Sequence, residues 1–480
     1  MAHPIPEEIV TLDPESIDFD DRDAVKNLII KLLNIIESQA QLIEEQQNEI
    51  QSLKDEISRL KGEKGKPKSS PNARKESNDF SSPSTEKRKK WSKRAKKPRI
   101  KIDRTEYRRL DRKILPPDAK HKGYRSVVVQ NIKFSTDNVE YKLERFYSPS
   151  EDKLYEAKLP EDVHGEFKDE LKAFIVYLYY ACRVTENKIK KILEESGIII
   201  SEGEISNILT QEKKEELKKE KEEILKAGLE SSNHFHTDDT GLKHKGENHH
   251  LHVICNALFS AFFITPKKDR DTIKGILGLE KDERTDKIMI SDDARQYLDI
   301  AVHHALCWIH EIRHYRKLNP LIDYHRIQLR EFLARVWAFY DRLNKYRENP
   351  DEKEKKKLEE EFDELFSTKT GYEELDKRIA LTKEKREELL LVLRFPEIPL
   401  HNNPAELALR EPVVKRKISN GTRSEDGKAA WENIMSILDT CKKQGVGFFE
   451  YIRDIFSGKR AMIRLAHLIS RSVSLKSTFY

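Results

Sequence analysis

Three features of the 480-residue sequence predict an α/β plus all-α architecture. A regular heptad opens the chain. Short β-branched, apolar segments after residue 230 have the length of strands. The stretch after them holds the charge-rich DEKEKKKLEEEFDELF and the apolar EELLLVLRF, which fit helices. The expected fold is a mixed core with a long helical insertion, an N-terminal coiled coil and a small β/helical region ahead of the core. Charged residues make up 36 % of the chain and hydrophobic ones 37 %, so much of the helix surface must be solvated. No apolar run approaches the roughly 20 residues of a membrane span, and the N-terminus lacks a signal-peptide pattern. No membrane partner is expected. Cys182, Cys255, Cys307 and Cys441 lie far apart without a CxxC, which argues against a disulfide scaffold or cysteine zinc ribbon and fits a reducing compartment.

Residues 1–23 read as a tail. In residues 24–62, Ile29, Ile36, Ile43, Ile50 and Ile57 fall at sevens, and Val25, Leu32, Gln39, Gln46, Leu53 and Leu60 form the second set. Ile at a with Leu at d favours a parallel two-stranded coiled coil, hence a homodimer. Residues 63–104 are rich in Lys, Ser, Pro and Gly and read as a disordered basic linker. From Glu86 to Lys113 the chain carries +11, against +5 for the whole. Such a block suits a polyanion, and Lys87, Arg88, Lys89, Lys90, Trp91, Lys93, Arg94, Lys96 and Lys97 are candidate DNA contacts. A solvated tail is the plainer alternative.

Residues 105–165 read as a small β-rich module, with an antiparallel unit over 124–147 and a turn at Thr136-Asp137-Asn138. Residues 166–230 read as helical: Asp169–Arg183, Glu186–Glu195, Ser201–Gln211 with a capping-box start, then a solvated connecting helix over 212–227. Short helices with tight turns fit a helix-turn-helix or a plain bundle.

The chemistry-bearing residues follow. His234–Thr240 reads as a strand ending in acids. His249–Leu258 and Phe259–Pro266 complete a meander, Asp271–Leu279 is helical, Lys287–Ser291 is a buried strand ending at Asp292, and Ala305–His310 is a fifth strand. This β-β-β-α-β-α-β order over 231–317 is that of a ribonuclease-H-like core, with acids at adjacent strand ends that suit hard Mg2+ ions. Residues 318–398 form a helical insertion. Residues 399–455 return to the core, where Asn403 can cap, Pro404 suits the first helical turn and Glu406 is either a capping-box acid or a third ligand. Residues 456–480 read as a basic C-terminal tail.

HTDDTG, ISDDARQY, ALCWIHEIRHYRKL and HNNPAELALREPVVKRKISNGTRSEDG, in this order, resemble the motifs of transposases of the insertion sequence 66 family. The resemblance runs from about residue 166 to 455, and the last motif is the specific part. It implies a DDE triad of Asp238, Asp292 and Glu406, which would also be the metal ligands. It implies two Mg2+ ions, with Mn2+ able to substitute. The partners it implies are element ends and target DNA, with accessory transposition proteins an open question. A cytoplasmic, nucleoid-associated prokaryotic protein follows. Asp239, Asp293, His401 and Leu407 stand where the family usually has Glu, Gly, Asp and Arg. The family's cysteine zinc module has no counterpart in 105–165.

His310 and Arg313 in the third motif, and Arg410, Arg416, Lys417 and Arg423 in the fourth, are candidate DNA-backbone contacts. A zinc site from Cys307, His310 and His314 would need one helix, which the strand reading of ALCWIH opposes. The expected activity is Mg-dependent cleavage at element ends and strand transfer to target DNA. Two alternatives stay open: a transposase-derived DNA-binding protein without catalysis, and a nuclease of the same fold that cuts without joining.

Overall fold

The structure is a computed structural model. It describes residues 17, 19–60, 102–111, 124–130, 136–160, 163 and 165–477. The basic run from Lys87 to Lys97, and most of the 1–23 and 63–104 segments, lie outside the described residues. The first described element is helix α1 (Arg22–Leu60), which covers the heptad. Its Ile29, Ile36, Ile43, Ile50 and Ile57 are all about half exposed, at 50–54 %.

β1 (Arg145–Ser148) and β2 (Lys153–Glu156) form a two-stranded antiparallel sheet. This corrects the expected unit over 124–147, where the described residues form no strand before Arg145. The pairing sits later because the turn closes at Asp152, whose φ is +47°, and because Arg145 and Glu156 form a cross-strand ion pair of 2.8 Å.

Helices α2 (Asp169–Tyr180), α3 (Glu186–Glu195) and α4 (Glu202–Thr210) follow close to their expected limits. Ser201 caps α4 by accepting from the Glu204 N–H at 3.0 Å. Helix α5 (Lys214–Glu230) is not the solvated connector its charges suggest. Leu217 and Ile224 are buried, and Lys221 pairs with Glu432 at 2.8 Å.

The central sheet has five strands in the order β5-β4-β3-β6-β7. β3 (His234–His244), β4 (Glu247–Cys255) and β5 (Ser260–Thr265) are antiparallel. Helix α6 (Arg270–Leu277) then crosses to β6 (Ile288–Ser291), which runs parallel to β3, and β7 (His304–Leu306) runs parallel to β6. β3 does not end at its acids. The β4 partner keeps pairing as far as His244–Glu247, and Leu242 and His244 turn inward, so the strand continues six residues past Asp238. β6 is apolar throughout because both faces are covered. Met289 joins one core, while Ile288 and Ile290 join the other.

The fifth strand is shorter than expected. After Leu306 the chain enters helix α7 (Trp308–Lys317), because Trp308, Ile312 and Tyr315 recur at helical spacing and are buried together. The insertion is all-helical: α8 (Asp323–Glu348), α9 (Glu352–Leu365), α10 (Glu373–Glu384) and the short α11 (Arg386–Leu389). Their apolar faces form a core with β6, β7 and α7. Helices α12 (Asn403–Ser419), α13 (Glu425–Gln444) and α14 (Phe448–Ser457) return to the sheet. Residues 456–480 are not a plain tail. Leu465 and Ile469 are fully buried, and helix α15 (Leu465–Ser477) packs on α5 and α13.

Candidate active site

The β3–β6 register brings two acids together. His236 pairs with Ile290 in parallel, and Asp238 and Asp292, each two residues further on and the latter just past the end of β6, lie near enough for their charges to interact. The Asp238 carboxyl is pushed up to about 7. Burial is the main cause, the Asp239 N–H opposes it, and the negative charges of Asp292, Asp239 and Glu406 add to it. Burial also raises Asp292, with the Ala294 N–H and His310 opposing.

Glu406 arrives on α12, which is tied to β3 by a residue the motif analysis did not single out. The Asn402 amide donates to the Thr237 carbonyl at 2.8 Å, and its oxygen meets His236 Nδ1 at 3.0 Å. Burial lowers His236 to about 3, so the ring is neutral and donates that bond. The Asn402 N–H also reaches Cys307 Sγ at 3.2 Å, and the Trp308 N–H bonds the Leu400 carbonyl at 3.0 Å. The cap position is thus Asn402 rather than Asn403, and its side chain makes no cap bond. Glu406 makes no capping-box bond either. Its carboxylate faces Arg313 at 3.1 Å and His310 at 3.5 Å, and its Oε1 is buried without a hydrogen-bond partner.

Helix α7 supplies His310 and Arg313. Arg313 donates to His310 Nε2 at 3.1 Å, and burial with the Arg313 charge lowers His310, against the pull of Glu406 and Asp292. Arg410 and Lys417 are exposed on α12 at the helical spacing of Glu406. Arg416 turns away and donates to Thr240 Oγ1 at 3.2 Å. Arg423 is exposed in the loop before α13. That loop is fastened to β3: Thr422 exchanges backbone bonds with Lys243 and Lys245 at 2.9 and 2.8 Å. Gly421, with φ +104°, is required there because a Cβ would lie 1.9 Å from the Lys243 carbonyl oxygen.

The acids beside the triad have other partners. Asp239 accepts from Gln296 at 2.9 Å and lies 3.7 Å from both His250 and Lys268. Asp293, Glu311 and His314 present ligand atoms within 4.8 Å of one another, but Lys385 bridges Asp293 and Glu311, and Arg378 also pairs with Glu311. Cys307 faces Asn402, and burial pushes its thiol up to about 11; among the described residues it does not join His310 and His314 in a group of metal-ligand atoms. Asp238, Asp292 and Glu406 offer only oxygens and have a buried, partnerless acceptor among them. Oxygen donors are what hard cations such as Mg2+ take, although among the described residues the group with ligand atoms within 4.8 Å of one another is Asp293, Glu311 and His314.

The molecule is thus an α/β protein with an acid-lined site where a mixed sheet meets a returning helix. The chain belongs to the transposase IS66 family, whose model matches residues 164–430, more than half of the sequence. Over 169 residues the chain is 40 % identical to the uncharacterized protein y4jO of Sinorhizobium fredii (strain NBRC 101917 / NGR234), a stretch covering 35 % of this chain and 52 % of that protein. The chain therefore spans about half the length of that relative. No helix among the described residues is long and apolar enough to cross a membrane.

Proposed function

We propose that the chain is a DDE-type DNA transposase with a ribonuclease-H-like core, in which Asp238, Asp292 and Glu406 hold two Mg2+ ions. The observation that carries the reading is the shared electrostatic neighbourhood of these three acids, two aligned by strand register and one delivered by α12. Magnesium bound there, or manganese in its place, would supply Lewis-acid activation of the attacking oxygen and stabilise the leaving one. The residues of the chain do the rest. The three carboxylates must be ionised. Arg313 puts N–H donors beside Glu406, where a phosphodiester would lie, and the His310 ring flanks them. Arg410 and Lys417 continue the positive charge along α12, with Arg423 at its end. The basic run Lys87–Lys97 would hold DNA by phosphate contacts. The α2–α4 helices are the candidate helix-turn-helix.

The reaction is hydrolysis of a phosphodiester at the element end, then in-line attack of the freed 3′-OH on target DNA. Two copies would act together through the α1 heptad seam. Incubation of the purified chain with end and target DNA in Mg2+ separates the readings. Joined products are expected. Cut ends without joining would favour a nuclease, and binding without cutting a catalytically silent DNA-binding protein.

A further inference from the structure

Two helices of the insertion begin without caps of their own. The residue before α8 is Ile322 and the residue before α10 is Tyr372, and neither makes a side-chain cap bond. The free N–H groups of such a start need acceptors. α1 supplies acceptors at both starts, to the backbone just ahead of α8 and to the first N–H of α10. Glu37 accepts from the Leu321 N–H at 2.6 Å and the Ile322 N–H at 2.9 Å, and from His325 Nδ1 at 3.1 Å. One turn earlier, Asn34 accepts from the Glu373 N–H at 2.9 Å and donates to the Gly371 carbonyl at 2.8 Å. Glu37 is 2 % exposed and His325 fully buried, and the His325 ring stacks on Tyr372 with centroids 4.4 Å apart. Burial would raise the Glu37 carboxyl, but the two backbone N–H groups and His325 outweigh it and hold it below its ordinary range. A carboxylate at a helix start also meets the favourable end of the helix dipole.

Around the helix from Ile36 in the isoleucine stripe, Glu37 lies about 100° and Asn34 about 160° at 3.6 residues per turn. That stripe stays half exposed along the docked stretch at Ile29, Ile36 and Ile43 and beyond it at Ile50 and Ile57. A strict seven-residue repeat is the pattern that pairs a helix with an identical one. We infer that α1 is a two-faced strut: one face latches it to the insertion by bonding the chain at the starts of α8 and α10, and the other pairs it with a second copy of the chain. Pairing then sets the distance between two insertions, where a helix on a loose tether would leave that distance free. The inference rests on the proposed pairing of two copies and not on the proposed chemistry.

The test uses the full chain with Cys182→Ser and a spin label at the exposed Lys356→Cys on α9. Sedimentation should give a dimer, and pulsed electron resonance a narrow distribution of distances between the two labels. The double variant Asn34→Ala/Glu37→Gln should remain a dimer with a distribution at least twofold broader. Ile36→Asp/Ile43→Asp, on the exposed stripe, should sediment as a monomer. A monomeric parent chain, or a dimer that survives the isoleucine changes, would overturn the pairing face. A distribution equally broad, or equally narrow, with and without Asn34 and Glu37 would overturn the latch.

Discussion

Two acidic clusters meet at the carboxyl end of β6, and they differ in who supplies the positive charge. Asp293, Glu311 and His314 have the tighter ligand-like geometry, yet Lys385 and Arg378 already neutralise them. Burial works to raise the Asp293 carboxyl, but Lys385 and His314 hold it below its usual range. Asp292, the neighbour of Asp293, and Asp238 have no such cation among the described residues, and both carboxyls are raised. A carboxylate group that carries its own lysine is a structural joint. One that is left with surplus negative charge is prepared for a cation from outside. The joint fastens the insertion to the sheet, and the uncompensated acids face Glu406.

This difference can be broken from either side. The larger stability effect should come from the joint. Lys385→Met leaves Glu311, 4 % exposed, with Arg378 and Thr382 alone, and should cost about 2–3 kcal/mol in denaturant melts, somewhat under a fully broken buried pair. Mg2+ should not restore that loss. The smaller effect should come from the acids and carry the opposite sign. Below about pH 4 Asp238 is protonated folded or unfolded and costs nothing. Between about pH 4 and its folded value of about 7 the unfolded chain ionises first, so stability falls as pH rises. Without metal, Asp238→Asn should therefore raise stability by roughly 1–2 kcal/mol at pH 8 and by nothing at pH 4. Added Mg2+ should raise the melting temperature of the parent chain and not of the variant. A variant no more stable than the parent at pH 8 would mean that Asp238 is already compensated.

Much of this arrangement was legible in the sequence because local rules and tertiary context agree there. The β6 strand is an apolar run because both faces are covered, so its end at Asp292 could be placed. The limits of α2 to α4 follow from caps and turns. The errors came where a long-range partner decides. β3 runs past Asp238 only because β4 pairs with it to the turn. The apolar run Ala305–His310 reads as a strand, but burial of Trp308, Ile312 and Tyr315 on one face makes it helix from Trp308 on. Asn402 resembles a cap in any Asn-Asn-Pro stretch, and only the folded chain turns its amide onto His236 and Thr237. Asn34 and Glu37 carry no sequence signal at all, because polar residues on a coiled-coil flank are the default.

Glu406→Gln is the most direct test of the claim that Asp238, Asp292 and Glu406 form the metal site. Gln keeps the shape and leaves α12 in place, because that helix is anchored by Asn402 and not by Glu406. The measurement is cleavage of end DNA in Mg2+ by a variant whose melting temperature and DNA affinity match the parent. Loss of cleavage by about a thousandfold or more is expected, since one charge of three is gone from the ligand set. A Glu406→Gln protein that cleaves and joins ends at the parent rate would contradict the account.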